Sequence, residues 1–146
     1  MEQRDYILRE IERLGSILAG IRDRILRRTT SLDEVRHGLQ AAARSIGVDL
    51  EIAEKVTPET LLMLVTGGGS IEPTRCWFFA ESLYLQGLQA GISGSREDGA
   101  DLLVRARMLF QLLHEGGYKL VTVTEAGDRI AEIDAALASQ PEPEAP

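Results

Sequence analysis

The chain has 146 residues, 44% of them apolar, and a formal net charge of −7. That length suits one domain burying roughly two thirds of its unfolded surface, and the apolar share excludes a disordered chain. The acidic balance argues against a general nucleic-acid binder, no apolar run nears the roughly 20 residues of a membrane span, and a lone cysteine, Cys76, excludes an internal disulfide or a thiolate zinc cluster.

The opening MEQRDYILRE carries charges where an export signal needs an apolar run, which points to the cytoplasm. Residues 1–30 hold seven arginines against five acids, whereas the remainder holds nine basic against eighteen acidic residues. Within this basic start, Ile7, Ile11, Leu14, Leu18, Ile21 and Ile25 alternate spacings of four and three, one apolar seam of a helix over 1–29. Ser31, with Glu34 three residues on, predicts a capped second helix. Its stripe is Leu32, Val35, Leu39, Ala42 and Ile46, and Gly47 can end it. The stretch VDLEIAEKV reads equally as a short helix or a connector. Thr57 and Pro58 then open a short apolar helix over PETLLMLV.

TGGGSIEP, residues 66–73, has the glycines of a phosphate cradle. A Walker-type loop also needs a lysine directly after it, and the only lysines are Lys55 and Lys119. The stretch is therefore expected to be a helix stop and flexible joint, with Pro73 in the first turn of the next helix. That next helix, around RCWFFAESLYLQGLQAG, is apolar nearly all round and should be central and covered on several sides. Its small residues Cys76, Ala80, Gly87 and Ala90 share a face that lets another helix approach closely. A following helix repeats the theme with Leu102, Ala106, Leu109 and Leu113, and EGG at 115–117 stops it. YKLVTVT is the one short stretch with strand alternation. A last helix carries Ala126, Ile130, Ile133 and Leu137, started by Thr122 with Glu125 or by Thr124 with Asp128. The fold expected is all-α, an array of antiparallel helical hairpins with about five to seven helices. It forms a single domain over 1–138 with an acidic, proline-rich, disordered tail at 139–146.

AESLYLQGLQAG resembles the first helix of a degenerate tetratricopeptide-type hairpin spanning 73–115, with Leu83 and Gly87 near its large-apolar and glycine positions. Leu103 and Ala106 fit the second helix loosely, and Gly99 or Ala100 takes the small-residue position. The closing proline of that repeat is missing, and no second copy at a period of about 34 residues is convincing. DYILREIERLG together with AESLYLQGL is similar to a family of uncharacterised small bacterial all-helical proteins. That resemblance implies the fold and transfers no activity.

No reactive constellation assembles from spacing. His37 and His114 fall on different helices, and Asp98 and Asp101 lack the alternating oxygens of a calcium loop. No catalytic residue, metal or cofactor is expected. VTVTEAG resembles the close of a winged-helix domain, but Arg105 and Arg107 are a thin basic face for a DNA reader. The expectation is a non-enzymatic protein–protein interaction module, self-associating or adaptor-like. Its interaction residues would be the seam Ile7, Ile11, Leu14, Leu18, Ile21 and Ile25, with Arg24 and Arg28 facing an acidic partner. The same seam can pack within its own chain, so monomer and homodimer stand at even weight. Alternatives are a bundle binding a small apolar ligand near Trp77, Phe78 and Phe110, or a transcriptional regulator. No nucleic-acid or membrane partner is otherwise expected.

Overall fold

The computed structural model describes residues 2–67, 69–118 and 124–139, with side chains from Leu8 onward. Seven helices lie among them, so the fold is all-α. Five belong to the first two thirds of the chain: α1 (Glu2–Leu26), α2 (Leu32–Ser45), α3 (Leu50–Lys55), α4 (Pro58–Leu64) and α5 (Pro73–Ile92). α6 (Arg96–Glu115) and α7 (Ala126–Ala138) complete the set, and no described helix is long and apolar enough to cross a membrane.

The local starts follow side-chain chemistry. Ser31 caps α2 by accepting the Glu34 amide, and Thr57 caps α4 by accepting the Thr60 amide, with Pro58 in the first turn. The Glu34 carboxylate accepts from the Thr30 hydroxyl, an extra contact beside the capping position. The ambiguous VDLEIAEKV stretch is helical because Asp49 accepts the Glu51 amide and starts α3. Glu72 does the same for α5, accepting the Arg75 amide at 2.6 Å. α7 differs from expectation. Its N-cap residue is Glu125, which makes no side-chain cap bond, and neither Thr124 nor Asp128 supplies one. The expected strand region 119–123 and the tail at 140–146 lie outside the described residues.

The described residues of the glycine stretch form a turn between two short strands. Thr66–Gly67 (β1) and Ser70–Ile71 (β2) form a minimal antiparallel ladder, pairing Thr66 with Ile71 and Gly67 with Ser70. Gly69 reverses the chain at φ +87°, and the Glu72 amide donates to the Val65 carbonyl beyond the ladder. This turn delivers α5 into the centre of the molecule.

α5 packs most heavily on α6 and also touches α1, α2 and α3, while α7 covers α6. Fourteen α5 residues are buried, as a helix apolar all round requires. The small face seen in the sequence receives α6. The Cys76 thiol donates to the Leu109 carbonyl, and Gly87 lies against Gly99 and Leu103. The seam of α1 closes the core from the other side. Leu14 and Ile25 are fully buried, and Ile11, Leu18 and Ile21 nearly so. Each such side chain contributes roughly 1.5–3 kcal/mol of burial free energy.

Candidate functional site

The densest polar chemistry lies where α1, α5 and α7 meet, and it is built from residues that do not assemble by sequence spacing. Arg129 on α7 is buried and grips Glu81 on α5 through two contacts, Nε to Oε1 and Nη2 to Oε2, the latter at 3.3 Å. Its third nitrogen, Nη1, donates to Glu132 Oε2 at 2.8 Å. Tyr84 donates its hydroxyl to that same oxygen at 2.6 Å, and Arg22 on α1 reaches it at 3.3 Å. The Arg129 guanidinium also lies over the Tyr84 ring, 4.8 Å from its centre.

Two arginines and two glutamates balance in charge, so the buried members, Arg129 and Glu81, survive removal from water by internal pairing while Arg22 and Glu132 stay part-exposed. Burial favours the neutral form of the Arg129 guanidinium. The hydrogen bond and charge of Glu81, aided by Glu132, outweigh it and hold Arg129 more firmly protonated than usual. Burial would also raise the Glu132 carboxyl, but Tyr84, Arg129 and Arg22 together hold it below the usual range. The Tyr84 phenol is pushed up by burial and by its bond to Glu132. These groups are therefore fixed charges and a fixed hydroxyl at neutral pH, poorly suited to proton transfer.

Beside the cluster lies a cavity of about 160 Å³, lined by Gly15, Leu18, Ala19, Arg22, Trp77, Glu81, Thr124 and Arg129. A larger, more open groove of about 420 Å³ runs between Leu14, Ile46 and Val48 with Glu10, Glu72 and Arg75 on its rim. The start of α5 faces that groove already neutralised by the Glu72 carboxylate, so it does not attract a second anion.

The structure separates the interaction residues expected from the sequence into two sets. Ile11, Leu14, Leu18, Ile21 and Ile25 are buried within the chain itself, which leaves their seam no free apolar face. Ile7 lies outside the described side chains. Arg24 and Arg28 are exposed, and among the described residues neither guanidinium has an ion pair or hydrogen bond. Leu26, between them, is 55% exposed.

The remaining candidates also have defined places. Phe78 and Phe110 are fully buried core residues, and Trp77 lines the small charged cavity. The Cys76 thiol is pushed up to about 12 by burial and by Glu72, which leaves it protonated and unreactive. Arg105 binds the Val56 carbonyl and Asp101, and Arg107 binds Asp134 at 2.7 Å, so both engage their own chain. His37 and His114 are exposed on α2 and α6. No three His, Cys, Asp or Glu side chains among the described residues converge to hold a metal ion.

The buried cluster does not emerge from sequence spacing, although a signal is present. Arg129 falls on the α7 stripe with Ala126, Ile130 and Ile133, and Glu81 sits in a helix apolar on all sides. A charge in either position demands a buried partner. No protein-family model matches the chain, and the searches of curated proteins and of solved structures found no similar protein.

Proposed function

We propose that the chain is a non-enzymatic helical module that works in the cytoplasm by protein–protein association, pairing with a second copy through the end of α1. The observation that carries this reading is Arg28. It ends α1 at φ +59°, a left-handed conformation that favours glycine, and its amide and that of Thr29 close the helix on Ile25 and Arg24. An arginine there costs about 1–2 kcal/mol relative to glycine. Its guanidinium recovers none of that by pairing within the described chain. Strain held at an exposed, unpaired cation is the pattern of a functional position.

Arg24 and Arg28 flank exposed Leu26, giving an apolar anchor between two cations. The complementary surface is on the same chain, because residues beyond 30 carry eighteen acids against nine bases. Glu97 and Asp98, exposed in the first turn of α6, are the acids assigned to meet Arg24 and Arg28. Electrostatic pairing of this kind gives specificity and salt sensitivity more than raw affinity. The contacts of α5 and α6 run in reverse order, Cys76 to Leu109 and Gly87 to Gly99. That order supports reading 73–115 as a repeat-like, tetratricopeptide-like hairpin within the same scaffold.

Sedimentation of the full chain across concentration and salt tests the assignment. The expected result is a dimer that weakens with salt. Arg28→Gly should lose at least tenfold in self-affinity while the folded chain gains about 1 kcal/mol of stability. Arg24→Glu with Arg28→Glu should dissociate the dimer, and adding Glu97→Lys and Asp98→Lys should restore it. A strict monomer at every concentration, or a dimer indifferent to these changes, would overturn the reading.

A further inference from the structure

We infer that α7 is a releasable clasp: it undocks as one unit while α1 to α6 stay folded, uncovering the face of α5 that carries Trp77, Glu81 and Tyr84. Its apolar attachment is slight. Ile133 is the one residue that α7 supplies to the buried core cluster, and Ile130, Ala136 and Leu137 pack against that cluster only in part. The rest of the cluster, from Leu14 to Leu113, comes from earlier elements and holds together without α7. Among the described residues no backbone hydrogen bond joins α7 to another element, so undocking breaks side-chain contacts alone.

Those contacts are mainly polar. Arg129 pairs with Glu81 and lies over the Tyr84 ring, Glu132 accepts from Tyr84 and Arg22, and Asp134 accepts from Arg107 on α6. They fix where α7 sits more than how tightly it sits. The attraction within a buried ion pair largely offsets its desolvation, and undocking returns Arg129 and Glu81 to water together. Neither charge is then stranded, as it would be if one partner were mutated. The Arg107–Asp134 pair is half-exposed, and such pairs hold weakly and yield to salt. A helix with little buried apolar surface opens at a lower free energy than the core does. None of these contacts uses Arg24 or Arg28, so the clasp is independent of the α1 end assigned to association.

Trp77 is only 3% exposed and lines the junction with Thr124 and Arg129. It is the one tryptophan of the chain, so its emission reports undocking. Native-state hydrogen exchange of the full chain in sub-denaturing urea tests the inference, at a concentration that keeps the chain monomeric. The α7 amides from Ile130 to Leu137 should exchange together, at least about tenfold faster than the central amides of α5 and α6 and with a shallower urea dependence. Asp134→Asn, or NaCl raised to about 1 M, should speed the α7 amides and leave the α5 and α6 amides unchanged. Arg129→Met should abolish α7 protection and shift Trp77 emission to the red while α5 and α6 stay protected. Adding Glu81→Leu should restore both signals. Protection of α7 with the same rate and urea dependence as α5 and α6 would overturn the inference. So would a graded loss toward Ala138, which is simple fraying, or an Arg129→Met chain in which α5 and α6 lose protection along with α7.

Discussion

Arg129 and Glu81 form an ion pair whose two side chains are each only 7% exposed, joining α7 to the central helix. Arg129→Met leaves the Glu81 carboxylate buried and uncompensated, and should cost about 3–5 kcal/mol. Combining it with Glu81→Leu removes both charges and should recover most of that loss, because the pair's attraction largely offsets its own desolvation. Chemical denaturation of the two single variants and the double variant gives the coupling directly. Equal destabilisation by all three would mean that the pair matters for its shape and packing alone.

The same cluster sets a pH dependence at both ends of the scale. Glu132 is held below the usual carboxylate range, so its contribution is present above an unfolded value of about 4.3 and is lost as pH falls through the lower folded value. Tyr84 is raised, so its contribution is present below about pH 10 and is lost as pH rises through the higher folded value. Denaturation midpoints measured from acid to alkaline pH should show that Glu132→Gln flattens the acid arm. Tyr84→Phe should flatten the alkaline arm and cost about 1 kcal/mol at neutral pH.

Gly87 and Gly99 bring α5 and α6 closer than any side chain allows. A Cβ on Gly87 would stand 2.8 Å from Leu103 Cγ and 3.0 Å from the Gly99 carbonyl, and one on Gly99 would stand 2.9 Å from the Gly87 carbonyl. Alanine at either position forces the helices apart and should cost about 1–3 kcal/mol. Gly20, inside α1 with nothing within 4 Å of an added methyl, gives the opposite sign. Gly20→Ala should stabilise by up to about 1 kcal/mol through helix propensity alone. Thermal melts of the three variants distinguish close packing from a general glycine effect.

Buried polarity in α5 offers a further stabilising change. Gln86 is fully buried, and neither amide atom finds a partner among the described residues. Such a group costs about 1–3 kcal/mol, and methionine matches its length without the polar atoms. Gln86→Met should raise the midpoint of urea unfolding, whereas a fall would show that an internal water serves the amide.

What could be read ahead of the structure was whatever depends on local chemistry. Ser31, Thr57 and Pro58 announce helix starts through short-range hydrogen bonding, and the 4-3 spacing of Ile11 through Ile25 fixes which face of α1 is apolar. The all-round apolar character of α5 gave its central place, and the small face at Gly87 gave the approach of another helix. What covers the α1 seam depends on contacts tens of residues away, and there its own chain fills the place left open for a partner. The Arg129–Glu81 and Tyr84–Glu132 contacts each join positions 48 residues apart, beyond the reach of any spacing rule, and within the cluster Arg129–Glu132 is a local pair three residues apart on α7. The cluster's trace was only a charge on each of two apolar faces. The strain at Arg28 is likewise invisible in the sequence, because its positive φ is a property of the folded backbone.

The loop at Gly69 separates a structural role from a nucleotide-binding one. Its φ of +87° suits glycine, and nothing lies within 4 Å of an added methyl, so Gly69→Ala meets backbone strain and no steric clash. The expected cost is about 1–2 kcal/mol, and Gly69→Asn should lose less because asparagine tolerates the left-handed region better. Loosening this turn also loosens the entry to α5, since the Glu72 amide and the Arg75 amide are both bonded just beyond it. Hydrogen exchange should therefore rise at Cys76 and the first turn of α5 in Gly69→Ala, while the α5–α6 contact at Gly87 stays protected. ATP and GTP should leave the Tm of the parent chain unchanged, because no lysine directly follows the glycines in the sequence to meet their phosphates, and Lys55, the lysine among the described residues, ends α3. A nucleotide-dependent shift that disappears in Gly69→Ala would convert the turn from a hinge into a binding loop.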